Sequence, residues 1–386
     1  MSAQPVEREQ RVSPLELFFD LVFVFGFTQV TTVLSENPTW SGLGHGLLIL
    51  VALWWAWAAY AWLTNAVDPE EGLVLGTMMV AIAAMFVAAL AVPEAFGRHG
   101  VVFGVAFLIV VLMWISLYAL SARDDPDLLQ AILRIAPSSI AGAVLIAAAG
   151  FVHGGLKPVL WLVALVVALV TPLVIRLGAW RLHPAHFVER HGLIVIIAIG
   201  ESLVAIGLGT RGTGLTAGVI ATAVLGFVVV ASFWLAYFDF FTIRAQRLLT
   251  DRSGAQRIAL ARDAYTYLHL PMVAGIVLFA FAMKTTLHDV SDELSIVPAL
   301  GLCAGPALYL LAYVGLRLRI SGTIGGGRLV GAVACTALIP VALAVPAVVA
   351  LALVAAVWIA LHAYELIWWR AARAELRAQR VPASAS

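Results

Sequence analysis

Residues 192–210 read Gly-Leu-Ile-Val-Ile-Ile-Ala-Ile-Gly-Glu-Ser-Leu-Val-Ala-Ile-Gly-Leu-Gly-Thr. Apolar residues fill this stretch almost without interruption, and Glu201 is its one ionisable side chain. A bilayer's hydrocarbon core takes about 20 mostly apolar residues to cross as a helix. The segment therefore predicts a membrane span, with an acid near its middle. The rest of the chain agrees. Of its 386 residues 62% are hydrophobic and 12% charged, with a mean hydropathy of +1.00. Soluble domains run nearer ~45–50% apolar and ~25% charged. This composition excludes a soluble enzyme, a disordered chain and a nucleic-acid-binding domain.

Working outward, twelve stretches are long and apolar enough to span. They lie near 15–34, 42–63, 73–93, 100–121, 131–151, 158–176, 192–210, 215–238, 265–284, 296–316, 327–345 and 347–369. The last two form one apolar run interrupted by Pro340 and Pro346, and a single helix of that length would reach ~60 Å, twice the core. The reading is all-α: a polytopic bundle of about 12 transmembrane helices. It has a polar tail at 1–14, one six-helix half at 15–176 and a linker at 177–191. A second half covers 192–369, followed by a basic tail at 370–386. No cleaved leader is expected, because residues 1–14 lack a short apolar core followed by a cleavage site.

Basic residues set the orientation. With the N-terminus in the cytoplasm and twelve crossings, 19 of the 23 Lys and Arg fall inside and 4 outside. Both termini and an Arg-rich loop at 239–264 are then cytoplasmic, in a bacterial inner membrane. A weak repeat supports two halves in the same orientation. Trp57-Ala-Ala-Tyr60 matches Trp234-Leu-Ala-Tyr237, Met79-Val-Ala matches Met272-Val-Ala, and Gly26 matches Gly200. These anchors stand six helices apart, and an even offset makes the repeats parallel.

Ionisable groups inside spans are costly, so they are the natural site candidates. On the first helix Glu16, Asp20 and Thr31 share one face, with Gln29 opposite. One reading is a polar stripe on a pathway; the other is acids stabilised by the helix N-terminus and a partner such as Arg11. Glu201 is either a proton- or ligand-coupled acid or a carboxyl hydrogen-bonded between helices. His269 stands beside Pro271, whose ring kinks a helix and frees a carbonyl; it contacts substrate or caps the broken turn. His183, His186 and His191 do not make a metal set, since no acid or Cys completes one. Asp239 and Asp68-Pro69 read as helix-end residues, and Cys303 and Cys335 as packing residues. The tryptophans Trp54, Trp55, Trp57 and Trp62 read first as an interfacial belt and second as a cavity wall. No catalytic residue, metal or cofactor is expected. The expected partners are the lipid bilayer and a small solute or ion.

The stretch from Arg11 through Glu16-Leu-Phe-Phe-Asp20 to Gln29 resembles the opening signature of the bacterial low temperature requirement A (LtrA) family. The Trp-rich second helix, Arg190-His-Gly-Leu-Ile-Val-Ile-Ile-Ala-Ile-Gly-Glu201-Ser and His269-Leu-Pro-Met-Val-Ala-Gly fit it in order, over residues 11–370. The resemblance implies a link to growth in the cold and highlights Glu16, Asp20, Glu201 and His269 without giving them roles. The first helix is also similar to that of potassium channels built of two six-helix repeats. Phe19 replaces that motif's Ser, however, and the seventh helix lacks the motif. A transporter or channel for a small solute, ion or proton is the leading expectation. A membrane sensor or envelope-homeostasis protein is the alternative, and a membrane-embedded enzyme ranks third.

Overall fold

The computed structural model describes residues 12–67, 69–70, 72–175, 180–238 and 241–368. Among these, all regular structure is helical apart from one isolated bridge between Glu293 and Pro346. The helices are α1 (Pro14–Glu36), α2 (Trp40–Ala66), α3 (Gly72–Ala91), α4 (Gly100–Ser121), α5 (Pro126–Ala149) and α6 (Leu156–Val174). They continue as α7 (Pro184–Gly209), α8 (Ala217–Phe238), α9 (Phe241–Thr250), α10 (Gly254–Ala261) and α11 (His269–His288). The last four are α12 (Ile296–Ser321), α13 (Gly326–Ala337), α14 (Ile339–Ala342) and α15 (Ala347–Trp368). Among the described residues eleven helical segments are long and apolar enough to cross a membrane, and Gly326–Ala342 is a shorter apolar one. The protein is a multi-pass helical membrane protein.

Helix starts follow their sequence signals. Ser13 caps α1 in a capping box: its hydroxyl accepts from the Glu16 N–H, and the Glu16 carboxylate accepts from the Ser13 N–H at 2.9 Å. Pro14 occupies the first turn, where no N–H is needed. Asp125 caps α5 ahead of Pro126, its carboxylate accepting from the Leu128 N–H at 3.2 Å.

Two boundaries differ from the sequence reading. The linker placed at 177–191 is helical from Pro184 onward, so α7 begins well before its apolar run. The loop placed at 239–264 is helical too: α9 covers Phe241–Thr250, and Gly254–His288 is one continuous 35-residue span. Arginines concealed the amphipathic pattern there, although Ile258 and Ala261 already stand three residues apart on one buried face. The long apolar run after residue 326 does divide in two, with Pro340 in the first turn of α14 and Pro346 just before α15. Backbone hydrogen bonds from Ala347 N–H to Asp292 O (2.8 Å) and from Val348 N–H to Val290 O (3.1 Å) tie down the connection. Residues 1–11 of the first tail, all of the second, and Arg11, Asp68 and Asp239 lie outside the described residues.

The chain forms two compact units. One comprises Met1–Glu201 and Ala245–Leu270, the other Ser202–Arg244 and Pro271–Ser386. In the second, α11 and α12 approach closely through glycine. A Cβ on Gly305 would lie 2.8 Å from the Gly275 carbonyl oxygen, and one on Gly301 would lie 2.8 Å from that of Leu278. Gly301 and Gly305, four apart, form the small-residue stripe that lets membrane helices touch backbone to backbone.

Candidate functional site

In the first unit the polar stripe of α1 faces α7. Three of the contacts between them join residues 170 apart in sequence: Glu16 with His186, Asp20 with Arg190, and Thr31 with Glu201. A constant offset over fifteen residues of α1 requires the two helices to run parallel, in register. All six side chains are essentially buried, at 0–1% exposure.

At the lower rung the Asn65 amide fixes the histidine. Its Oδ1 accepts from the His183 N–H (2.8 Å), so its Nδ2 donates to the His183 carbonyl (3.0 Å) and to His186 Nδ1 (3.1 Å). His186 must then carry its proton on Nε2, which donates to Glu16 Oε2 at 3.1 Å. The imidazole is neutral in this arrangement. One turn on, Arg190 Nη1 donates to Asp20 Oδ2 (3.1 Å), and its Nε lies 3.5 Å from Glu16 Oε1. Trp57 donates its indole N–H to Asp20 Oδ1 at 2.9 Å, and the guanidinium stands 5.7 Å from the Trp57 ring, within cation–π range. Two carboxylates therefore share one guanidinium.

At the upper rung Glu201 accepts from Thr31 Oγ1 at 2.7 Å and from Thr28 Oγ1. Both hydroxyls also lie within reach of carbonyls of their own helix, Thr28 O for Thr31 (2.9 Å) and Val24 O for Thr28 (3.1 Å). Each hydroxyl has one proton and two acceptors to choose between.

His269 caps a turn. Residues Arg262–Tyr267 form a π-helical stretch, closed by the Leu268 N–H on Asp263 O at 3.1 Å. His269 Nδ1 donates to Ala264 O at 2.9 Å. Pro271 has no N–H to return, and Trp54 supplies one, its indole donating to Thr266 O at 2.8 Å. The His269 ring stacks on Tyr265 at 4.8 Å and meets His191 edge-on at 5.4 Å. Glu201 stands ten residues beyond His191 on α7, about 15 Å along the axis. Gln29 is half-buried on the far side of α1 and takes no part in the ladder.

Sequence reasoning missed Arg190, which it placed at a helix end among the cytoplasmic cations; it is fully buried. Three of the four tryptophans do not form an interfacial belt either: Trp54 and Trp57 are fully buried and Trp62 nearly so, while Trp55 is half-buried. The signal was present, since a helix apolar on every face belongs inside a bundle. Also missed was a pair in the second unit. Arg328 Nε donates to Glu365 Oε1 at 2.7 Å, and its guanidinium lies 3.5 Å from the centre of the Tyr313 ring. Among the described residues no three His, Cys, Asp or Glu side chains gather as a metal set.

These features define a multi-pass helical membrane protein with a ladder of buried polar pairs between its first and seventh helices. The chain belongs to the bacterial low temperature requirement A protein (LtrA) family, whose model matches residues 11–363. It is 32% identical over 320 residues to an uncharacterized protein of Rhizobium meliloti (strain 1021), covering 80% of this chain and 77% of that one. No solved structure matches it.

Proposed function

We propose that the protein is a transporter or channel for a proton or small cation in the bacterial inner membrane, with both termini cytoplasmic and no enzymatic activity of its own. One observation carries this reading. Glu16, Asp20 and Arg190, all buried, place two carboxylates against one guanidinium, while the hydrogen bonds of His186 leave it neutral. Charge buried in a low-dielectric interior is expensive unless matched. Among the described residues the cluster has one negative charge in excess, which a proton or a monovalent cation neutralises. Glu201, between two hydroxyls on the same pair of helices, offers a second oxygen-lined station. Purified protein in proteoliposomes, with pH and alkali-cation gradients varied in turn, tests the reading. Flux above protein-free vesicles that falls in Asp20→Asn and Glu201→Gln supports it. Vesicles that hold every gradient refute it.

A further inference from the structure

Among the described residues, the lower rungs of the ladder set two carboxylates against one guanidinium. The hydrogen bonds around them decide which ion can offset the excess charge. Glu16 Oε2 accepts from the Ser13 N–H at 2.9 Å and from His186 Nε2 at 3.1 Å. Asp20 Oδ1 accepts from the Trp57 indole at 2.9 Å, and Oδ2 from Arg190 Nη1 at 3.1 Å. Glu16 Oε1 differs: it is buried and accepts no hydrogen bond. It meets Arg190 Nε at 3.5 Å, longer than an N–H···O bond. An alkali cation needs a shell of oxygens with lone pairs turned toward it. Here three of the four oxygens face N–H groups, whose hydrogens would repel it. A proton needs no shell and no added volume, only one lone pair to sit on and one to point at.

His186 is closed to that proton. Its Nδ1 lone pair accepts from Asn65 Nδ2, and Asn65 cannot turn over, because the His183 N–H at 2.8 Å needs its Oδ1. Of the two acids, Glu16 stands in the first turn of α1, where the helix N-terminus favours the ionised form. Asp20 is one turn deeper. The remaining ionisable groups on the packed elements are engaged elsewhere or exposed. α3 has none. On α2 the Tyr60 hydroxyl donates to the Val110 carbonyl (2.9 Å), and His45 stacks on Phe96. Glu94, in the helical turn Val92–Glu94, pairs with Arg98. On α7 His191 Nδ1 donates to the Phe187 carbonyl at 2.8 Å, while Glu36 on α1 and His183 and Glu189 are exposed.

We propose that the ladder binds a proton, carried by Asp20 and hydrogen-bonded to Glu16 Oε1 one turn back on the same face, and that alkali cations have no seat there. The carboxyl and the carboxylate share one hydrogen, Arg190 balances the remaining charge, and the pair titrates as a unit. The proposal rests on the reading of the ladder as an ion site and names its ion.

Full-length protein in lipid nanodiscs is acidified from alkaline pH and followed by infrared difference spectroscopy, with and without ¹³C in the aspartate carboxyls. A carboxylic-acid C=O band should appear in the wild type, move with the aspartate label and be missing from Asp20→Asn. Glu16→Gln, which removes the excess charge, should lose it at the same pH. Replacing sodium, potassium or lithium by an organic cation should leave it unchanged. A band that fades as an alkali cation is added would overturn the proposal. So would the absence of any label-sensitive band, or a doubly protonated His186 in the imidazole ¹⁵N spectrum. Should Asp20→Asn fail to accumulate, the labelled wild type and the alkali series decide. Vesicles that pass no ion while the band persists reject transport and leave the proton site standing; alkali flux without the band rejects the proton site and leaves transport standing.

Discussion

Asp20 and Arg190 lie 170 residues apart in the chain and meet as a fully buried ion pair, 3.1 Å between Oδ2 and Nη1. The same interval separates Glu16 from His186 and Thr31 from Glu201, and also Pro14 from Pro184, which begin the two helices. At each rung α1 and α7 bring unlike partners to equivalent heights: acid to imidazole, acid to guanidinium, hydroxyl to acid. A slip of one residue in either helix would break all three.

That relationship predicts an unequal response to neutralising the charges. Arg190→Met leaves two carboxylates in a dry site and should cost about 3–5 kcal/mol. Asp20→Asn keeps the Glu16–Arg190 contact and should cost less. Combining Glu16→Gln, Asp20→Asn and Arg190→Met removes every charge and should recover most of the loss. Thermal unfolding in detergent, followed by fluorescence-detected gel filtration, gives the ranking. A triple variant no better than Arg190→Met would contradict it.

Glu201 should tolerate loss of its charge structurally. Without the carboxylate, Thr28 and Thr31 can turn to the carbonyls of Val24 and Thr28, so no hydroxyl is stranded. Each lost hydrogen bond is then worth only about 1 kcal/mol. Glu201→Gln and Glu201→Leu should both insert at wild-type levels, while ion flux or growth in the cold disappears. Normal insertion with undiminished activity in both would make the acid structural.

The glycine contact between α11 and α12 should be intolerant of any added side chain. In Gly305→Val the new Cβ would meet the Gly275 carbonyl oxygen at 2.8 Å, and relief requires a backbone shift costing about 1–3 kcal/mol. Gly44→Ala, on α2, has open space around it and should be neutral or slightly stabilising, since alanine is the better helix former by about 1 kcal/mol. Melting temperatures of the two variants should move apart, and a Gly305→Val protein as stable as wild type would show that these helices are not packed backbone to backbone.

Topology follows from the single span between residues 250 and 290, Gly254–His288. Reporter fusions after those two positions should lie on opposite sides, with the first cytoplasmic, because Arg247, Arg252 and Arg257 gather at that end and Asp289, Asp292 and Glu293 at the other. Reporters on the same side would reject both the span and the orientation.

The spans were legible because hydrophobic length is a local property, and so was the shared face of Glu16, Asp20 and Thr31, which needs only helical periodicity. Their partners were not. Nothing local marks Arg190 as the mate of Asp20, because that pairing exists only once α7 lies beside α1. Arg190 also sits among charged neighbours that imitate a loop. His269 was readable as far as its two alternatives, and the structure adds the hydrogen bond of its Nδ1 to the Ala264 carbonyl. The interval of 170, shared by two helix-starting prolines, was present in the sequence but carried no weight until contacts gave it meaning.

The segment Gly326–Ala342 has 17 residues, about 26 Å of helix, against a hydrocarbon thickness of about 30 Å. Its far end is fastened by the backbone bonds of Ala347 and Val348 to the 290–292 turn, so it cannot lengthen by adding helical turns. Where such a segment crosses a bilayer, the surrounding leaflets thin to meet it, at a fraction of a kcal/mol for each ångström of mismatch. Thicker membranes, made from longer or more ordered chains, raise that elastic load at one place on the protein, and thinner ones relieve it.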